Sequence, residues 1–297
     1  MVKPNHSKIN SYKRGTRYRR CLGPIDDLEH YVHHEWWRQI FDAFYLKTDG
    51  DVVNNPEITR MEIDLITNAL DLKTEHKILD LCCGHGRHSI ELAMRGFMNV
   101  EGVDISKYLI SRARAWAKSR GLSISFRVGD ARRLTYPDNC FDAVLILGNS
   151  FGYFERIDDD LKVLREVYRI LRPYGRVLID LTNGEYIKNN YEKRTWEWID
   201  KRHIAFRERC LAKDGKRLIT REVVVSTDKG VIVDQFYAVR LYSYEELRNL
   251  LETAGFSNIL LHDKLCMEHG DGRDKGMMSN RLVVSATAMK GNGNDGL

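Results

Sequence analysis

Residues 77–106 read KILDLCCGHGRHSIELAMRGFMNVEGVDIS, and the rest of the chain is arranged around them. Lys77–Leu81 is a short apolar run of the length of a buried strand. A glycine-bearing turn follows, Cys82-Cys83-Gly84-His85-Gly86. Arg87–Met94 then reads as helix, and Asn99–Val103 as a second strand closing on Asp104. The order is a βαβ unit with glycines at its first strand-to-helix turn and an acid ending its second strand. Glycines let the backbone approach a ligand, and a helix N-terminus presents free N–H groups. Asp104 stands about 20 residues beyond Gly84, where such an acid reaches ribose hydroxyls. The unit predicts a nucleoside-binding site.

A dinucleotide fingerprint needs glycines in the pattern G-x-G-x-x-G. Gly84 and Gly86 fit, but the third position is Ser89, and Asp80 stands four residues before the first glycine. No phosphate calls for that acid, whereas a sulfonium ligand with an ammonium group does. The stretch resembles motif I of the class I S-adenosylmethionine-dependent methyltransferases, roughly [D/E]-x-x-x-G-x-G. Asp80, Gly84 and Gly86 match it, and His88 replaces a further glycine frequent in that family. A dinucleotide enzyme is the structural rival.

The resemblance spans residues 75–185 and, more loosely, 240–290. It implies a doubly wound α/β fold with a seven-stranded, mostly parallel sheet, S-adenosylmethionine as cofactor and S-adenosylhomocysteine as product. It also implies which residues hold the cofactor: Asp80, Cys82, Cys83, Gly84, Gly86 and Arg87 around the turn, and Asp104 and Ile105 at the ribose. Asp130 and Ala131, after the third strand, stand where the family binds adenine. Leu147 and Asn149, at the end of the fourth, face the methionine moiety.

Asp26–Leu46, DDLEHYVHHEWWRQIFDAFYL, reads as a helix with two acids at its positive end. Its rings need a wall to pack on. The run Trp36–Tyr45 resembles the aromatic N-terminal segment of some small-molecule methyltransferases, which implies Tyr45 over the cofactor and Trp37 and Phe41 beside the acceptor. Asn55-Pro56 opens another helix, with Ile58, Met61, Leu65 and Leu72 as its core face. Ser106 caps a basic helix through Arg120, and Ile124–Val128 is the third strand. Phe141–Leu147 is a central strand running into Gly148–Phe154, Asp158–Arg172 an amphipathic helix, and Arg176–Leu181 the fifth strand.

The texture then changes. Thr195–Ile199, His203–Ala212, Lys216–Ser226 and Val231–Leu241 alternate like antiparallel strands, with turn signals at Asp214-Gly215 and Asp228-Lys229-Gly230. Ser243-x-x-Glu246 is a capping box for a helix ending at Gly255, and Ile259–His262 and Arg281–Ala286 are the last strands. The resulting plan is a basic flexible tail (1–24), a helical cover (25–74), a cofactor core (75–190), an antiparallel acceptor lid (191–242), the end of the core sheet (243–290) and a flexible tail (291–297).

The chain has 297 residues, 30% charged and 43% hydrophobic, which fits a globular protein with a sizeable core. It holds no apolar run long enough to span a membrane and no secretory signal. Six cysteines without a C-x-x-C pair suit a reducing, cytoplasmic setting, and no Cys/His quartet suggests a metal. The net charge of +5 is carried by seven Lys/Arg within residues 1–20, without which it falls to −2. The near-neutral body favours a small-molecule acceptor over nucleic acid, in a monomer or homodimer. The alternatives are an RNA methyltransferase using the basic tail, with Tyr12 and Tyr18 among its charges, and a non-catalytic cofactor binder.

Methyl transfer is an in-line displacement at an already activated carbon, so alignment, worth roughly 7–11 kcal/mol, carries the catalysis. No nucleophile triad is needed. Tyr153 is the candidate orienter or proton relay, and Arg240 and Tyr242 are candidates to hold an acceptor carboxylate or phosphate. The His269–Arg273 stretch has no assignment.

Overall fold

The structure is a computed structural model and describes residues 23–262 and 280–290. The basic residues 1–22, the segment 263–279 with Cys266 and His269–Arg273, and residues 291–297 lie outside the described residues. Five strands, β1 (Lys77–Leu81), β2 (Asn99–Asp104), β3 (Ser125–Val128), β4 (Phe141–Ile146) and β5 (Leu171–Thr182), run parallel. The chain then builds a separate antiparallel sheet from β6 (Arg194–Asp200), β7 (His203–Leu211), β8 (Arg217–Ser226) and β9 (Gly230–Arg240). It returns as β10 (Ser257–His262) and β11 (Arg281–Thr287), completing a seven-stranded sheet ordered β10-β11-β5-β4-β1-β2-β3. β11 is antiparallel to both its neighbours.

Helices α1 (Tyr45–Thr48), α2 (Gly50–Val53) and α3 (Pro56–Ala69) precede β1. α4 (Arg87–Met94) and α5 (Lys107–Ser119) flank β2; α6 (Ile157–Ile170) and α7 (Gly184–Asn190) flank β5; α8 (Tyr244–Thr253) follows β9. The central strands are apolar on both faces because both are covered. Leu79, Leu81, Val144 and Ile179 pack with Val163, Leu164 and Leu247, while Ile78, Leu145 and Leu178 pack with Ile63, Ile66 and Leu92. Full burial of each such side chain contributes about 1.5–3 kcal/mol. Strand order reverses between β1 and β4, so the crevice beyond their carboxyl ends is where this architecture binds ligands. No helix among the described residues is long and apolar enough to cross a membrane.

Three local expectations fail, and one element is unforeseen. Asp26–Leu46 is not one helix: it forms 3₁₀ turns at Glu29–Tyr31 and Trp36–Arg38 before α1. Rings at positions 31, 36, 37, 41, 44 and 45 would surround a helix, and Asp42 breaks it by accepting from the Phe44 and Tyr45 amides. Met61 is 58% exposed, because the buried face of α3 is rotated toward the carboxylate of Glu62. The helix over 158–172 stops at Ile170, where pairing of Phe141 with Leu171 has already begun the strand. α7, capped by Asn183, is missing from the sequence reading.

Candidate active site

The turn after β1 is bent by left-handed residues, among them Gly84 (φ 55°) and Gly86 (φ 83°). A Cβ at Gly86 would lie 2.8 Å from the Phe126 ring, so the turn closes on β3 only with glycine there. The Gly84 amide donates to Asp104 Oδ2 (2.9 Å) and the Ser106 amide to Oδ1 (2.7 Å). One buried carboxylate thus ties the first two strand ends together; burial raises its pKa against these backbone donors.

Two cavities meet over this turn. The smaller, about 80 Å³, is lined by Trp37, Asp104, Ile105, Leu109, Asp130 and Ala131. The larger, about 180 Å³, runs past Cys83, His85, Arg87, Leu147 and Asn149 to the inner face of the antiparallel sheet. Phe41, Tyr45, Cys82, Gly84, Ser150 and Tyr153 border both. At that junction Phe41 stacks on Tyr153 (5.8 Å between ring centres) and meets Tyr45 edge-on (5.1 Å). Burial raises the phenols of Tyr45, Tyr153 and Tyr237 above their ordinary pKa, so they stay protonated near neutrality. Burial also raises the thiols of Cys82 and Cys83, and lowers His85 and His88 to about 4, leaving both neutral.

The far wall is polar. Arg207, Glu222 and Gln235 stand opposite one another on β7, β8 and β9. Arg207 Nε donates to Glu222 Oε2 (2.8 Å) and Gln235 Nε2 to Glu222 Oε1 (2.9 Å). Arg209, Thr220 and Tyr237 extend this wall. Under the larger cavity, Glu62 pairs with Arg87, with His88 (2.8 Å) and with Arg281 (2.7 Å), which in turn holds Asp180. Burial pushes the Glu62 carboxyl up, but Arg87, His88 and Arg281 outweigh it and hold it well below the usual range. Asp180 accepts the Gly148 amide (3.0 Å), so the network reaches the loop after β4.

The family described as a methyltransferase domain matches residues 78–175. YqeM of Bacillus subtilis, itself named a methyltransferase only provisionally, is 30% identical over 188 residues, covering 62% of this chain and 75% of that protein. The 27-O-demethylrifamycin SV methyltransferase of Amycolatopsis mediterranei is 29% identical over 182 residues, 60% of each chain. An S-adenosylmethionine-dependent methyltransferase from Clostridium acetobutylicum shares the fold, with a TM-score of 0.64 at 19% identity over 82% of this chain and 96% of that one. This chain is a class I S-adenosylmethionine-dependent methyltransferase. Its cofactor is S-adenosylmethionine.

The methyltransferase brings most of the expected residues to the two cavities: Tyr45, Cys82, Cys83, Gly84, Arg87, Asp104, Ile105, Asp130, Ala131, Leu147, Asn149, Phe41 and Tyr153. Asp80 and Gly86 border neither; they build the turn from below. Asp80 accepts from Ser89 Oγ (2.6 Å), and burial lifts its carboxyl to about 6. Asp130 is engaged by Arg132 (2.8 Å) and Arg38 (3.3 Å), which lower its pKa despite partial burial. Trp37, expected beside the acceptor, borders only the smaller cavity, edge-on to Phe154 (5.3 Å) under Arg38.

Arg240 and Tyr242 border neither cavity. Arg240 donates to Asp160 (3.0 Å) and to the carbonyls of Phe154 and Glu155, and the Tyr242 hydroxyl donates to the same carboxylate (2.8 Å). They fasten α6 and the loop after β4 to the second sheet, and their polar groups are engaged outside both cavities. Sequence reasoning missed Trp36, Asp49, Arg207, Arg209, Glu222, Gln235 and Tyr237. The signal was present in the hairpins: the tight turns fix the register that aligns Arg207, Glu222 and Gln235.

Proposed function

We propose that the methyltransferase transfers its methyl group to a nitrogen or oxygen of a small polar molecule, seated in the larger cavity under the antiparallel sheet as a lid. The reading rests on the facing of the Arg207–Glu222–Gln235 row toward the cofactor turn across a cavity of about 180 Å³. A relative named for a rifamycin substrate supports a small acceptor.

S-adenosylmethionine, when bound, supplies a methyl carbon already activated by its sulfonium. The residues present suit it. Asp104 would hold the ribose hydroxyls, Asp130 and Ala131 would meet the adenine, and Arg87, Leu147 and Asn149 would surround the methionine end. Gly84 leaves open backbone beside it: a Cβ there would come no nearer than 3.9 Å to Leu109. Phe41, Tyr45 and Tyr153 exclude water at the junction, and the protonated phenol of Tyr153 orients the acceptor. Asp49 and Glu222 are the carboxylates bordering the acceptor side, where a proton leaving the acceptor is taken.

The test is a screen of small amines, alcohols and acids for S-adenosylhomocysteine formation, followed by Arg207→Met with the acceptor found. The variant is expected to raise the acceptor KM about tenfold or more while cofactor affinity by calorimetry stays unchanged, as loss of a charged hydrogen bond predicts. An unchanged acceptor KM would remove the lid from the reaction. Loss of activity on deleting residues 1–20, with salt-sensitive RNA binding, would favour an RNA acceptor instead.

A further inference from the structure

We infer that two copies of this chain associate through β6, pairing antiparallel about a two-fold axis at Glu197. Among the described residues β6 is the outer strand of its sheet, with β7 on one side only. Its residues alternate: Thr195, Glu197 and Ile199 are half-buried, while Arg194, Trp196, Trp198 and Asp200 are exposed. Trp196 is 63% and Trp198 55% exposed, with Phe206, 40% exposed, directly opposite Trp196 on β7. The N-terminal segment from Ile25 to Val32 covers the outer face of this sheet over Cys210, Ile219 and Phe236, beyond which the tryptophans remain uncovered among the described residues. A seven-residue edge with two open indoles is a surface that monomers avoid.

The strand is complementary to itself. Its sequence is Arg-Thr-Trp-Glu-Trp-Ile-Asp, centred on Glu197. Turned on a copy of itself about that residue, Trp196 faces the partner's Trp198, and Arg194 faces the partner's Asp200, each contact occurring twice. The backbone phase agrees. The Arg209 amide donates to the Lys193 carbonyl (2.8 Å), so Lys193, Thr195 and Glu197 aim their peptide groups at β7. Trp196 and Trp198 aim theirs at the open edge, where an axis at Glu197 pairs them.

The remaining charges are compatible with this register. Glu197 lies on the axis with its carboxylate on the inner face, held by Arg207. Arg194 has one nitrogen on Glu208 (3.1 Å), and Asp200 also accepts from the Arg202 and His203 amides and lies 2.9 Å from His203 Nδ1. Within the strand the attractive Arg194–Asp200 contact occurs twice and the like-charged Glu197 pair once, each Glu197 carboxylate being neutralised by its own Arg207. Since Glu197 also fixes Arg207, the interface would sit directly behind the acceptor wall.

Sedimentation equilibrium of the full chain at micromolar concentration tests this, with circular dichroism to confirm folding of the variants. The wild type is expected to be dimeric. W196K/W198K, which sets lysine against lysine across the axis, is expected to be monomeric. W196E/W198K, which sets glutamate against lysine, is expected to keep a dimer that salt dissociates. A monomeric wild type overturns the inference. So do two equally monomeric variants, which would mean packing of sheet faces, and two unaffected dimers, which would place the interface elsewhere.

Discussion

The end of the parallel sheet and the inner face of the antiparallel sheet meet at one site, but they fix their polar groups by different means. On the parallel sheet the backbone does it: Asp104 is held by the Gly84 and Ser106 amides, and the loop after β4 by Asp180. On the antiparallel sheet side chains hold one another, Arg207 to Glu222 and Gln235 to Glu222. The first arrangement ties carboxylates to the path of the chain itself, which suits a cofactor that never varies. The second rests on pairs of side chains alone, which suits the acceptor-selecting role proposed for that sheet. Variants on the two sides should therefore separate stability and cofactor binding from acceptor selection.

The largest effect is expected at Glu62, which anchors the cofactor side from beneath. Glu62→Ala leaves Arg87 buried without its carboxylate and removes one of the two carboxylates beside Arg281, which keeps Asp180. A stability loss of about 3–5 kcal/mol is expected by chemical denaturation, because an uncompensated buried charge is costly. A loss below 1 kcal/mol, in the range of an exposed pair, would mean that the network is not what holds α3, α4 and β11 together.

Asp80 gives the next effect, through pH. Its carboxyl ionises near 6 in the fold against an ordinary 3.8, because burial disfavours the charge more than Ser89 favours it. Its contribution to stability is therefore fully present below about pH 4 and lost as pH rises through 6. His85 and His88, lowered to about 4, contribute the opposite slope, present above their ordinary 6.5 and lost on acidification. Both histidines remain in Asp80→Asn, so their slope cancels in the comparison. Relative to the wild type, the variant should gain up to about 3 kcal/mol between pH 4 and pH 7. A pH-independent difference would show that Asp80 ionises normally.

These two sites also show what the sequence revealed and what it concealed. The turn from Asp80 to Gly86 and the acid Asp104 were legible because their geometry is local: φ at Gly84 and Gly86 and one strand length set it. Glu62 was not, since a carboxylate on an amphipathic helix normally faces water, and its partners lie as far along the chain as Arg281. The reading consequently put Met61 in the core and left Glu62 outside it. Arg240 and Tyr242 misled for a related reason. Their position at the end of the inserted sheet was right, but their direction is set by Asp160, a carboxylate from the opposite side of the site. The inward row of the antiparallel sheet needed strand register rather than motif, and no single strand betrays it.

Asp104→Ala should cost cofactor affinity about 1–3 kcal/mol by calorimetry, through lost charged hydrogen bonds and a loosened Gly84 turn. Acceptor KM, measured at saturating cofactor, should be unaffected. A parallel rise in both would mean that the two cavities do not divide the ligands as their linings suggest.

Tyr153 tests the boundary between the two halves, and the smallest effect is expected there. It borders both cavities, packs between Trp36 (5.0 Å) and Phe41 (5.8 Å), and keeps its proton because burial raises its phenol. Tyr153→Phe retains the ring and removes one neutral donor, a change of about 0.5–1.5 kcal/mol, or up to about tenfold in kcat. Cofactor affinity should not move, since the ring contacts survive. A fall in kcat of about a thousandfold would exceed what one neutral hydrogen bond supplies and would make the phenol a proton carrier. An unchanged kcat would leave the aromatic wall as packing alone, with orientation falling to the Arg207–Glu222–Gln235 row.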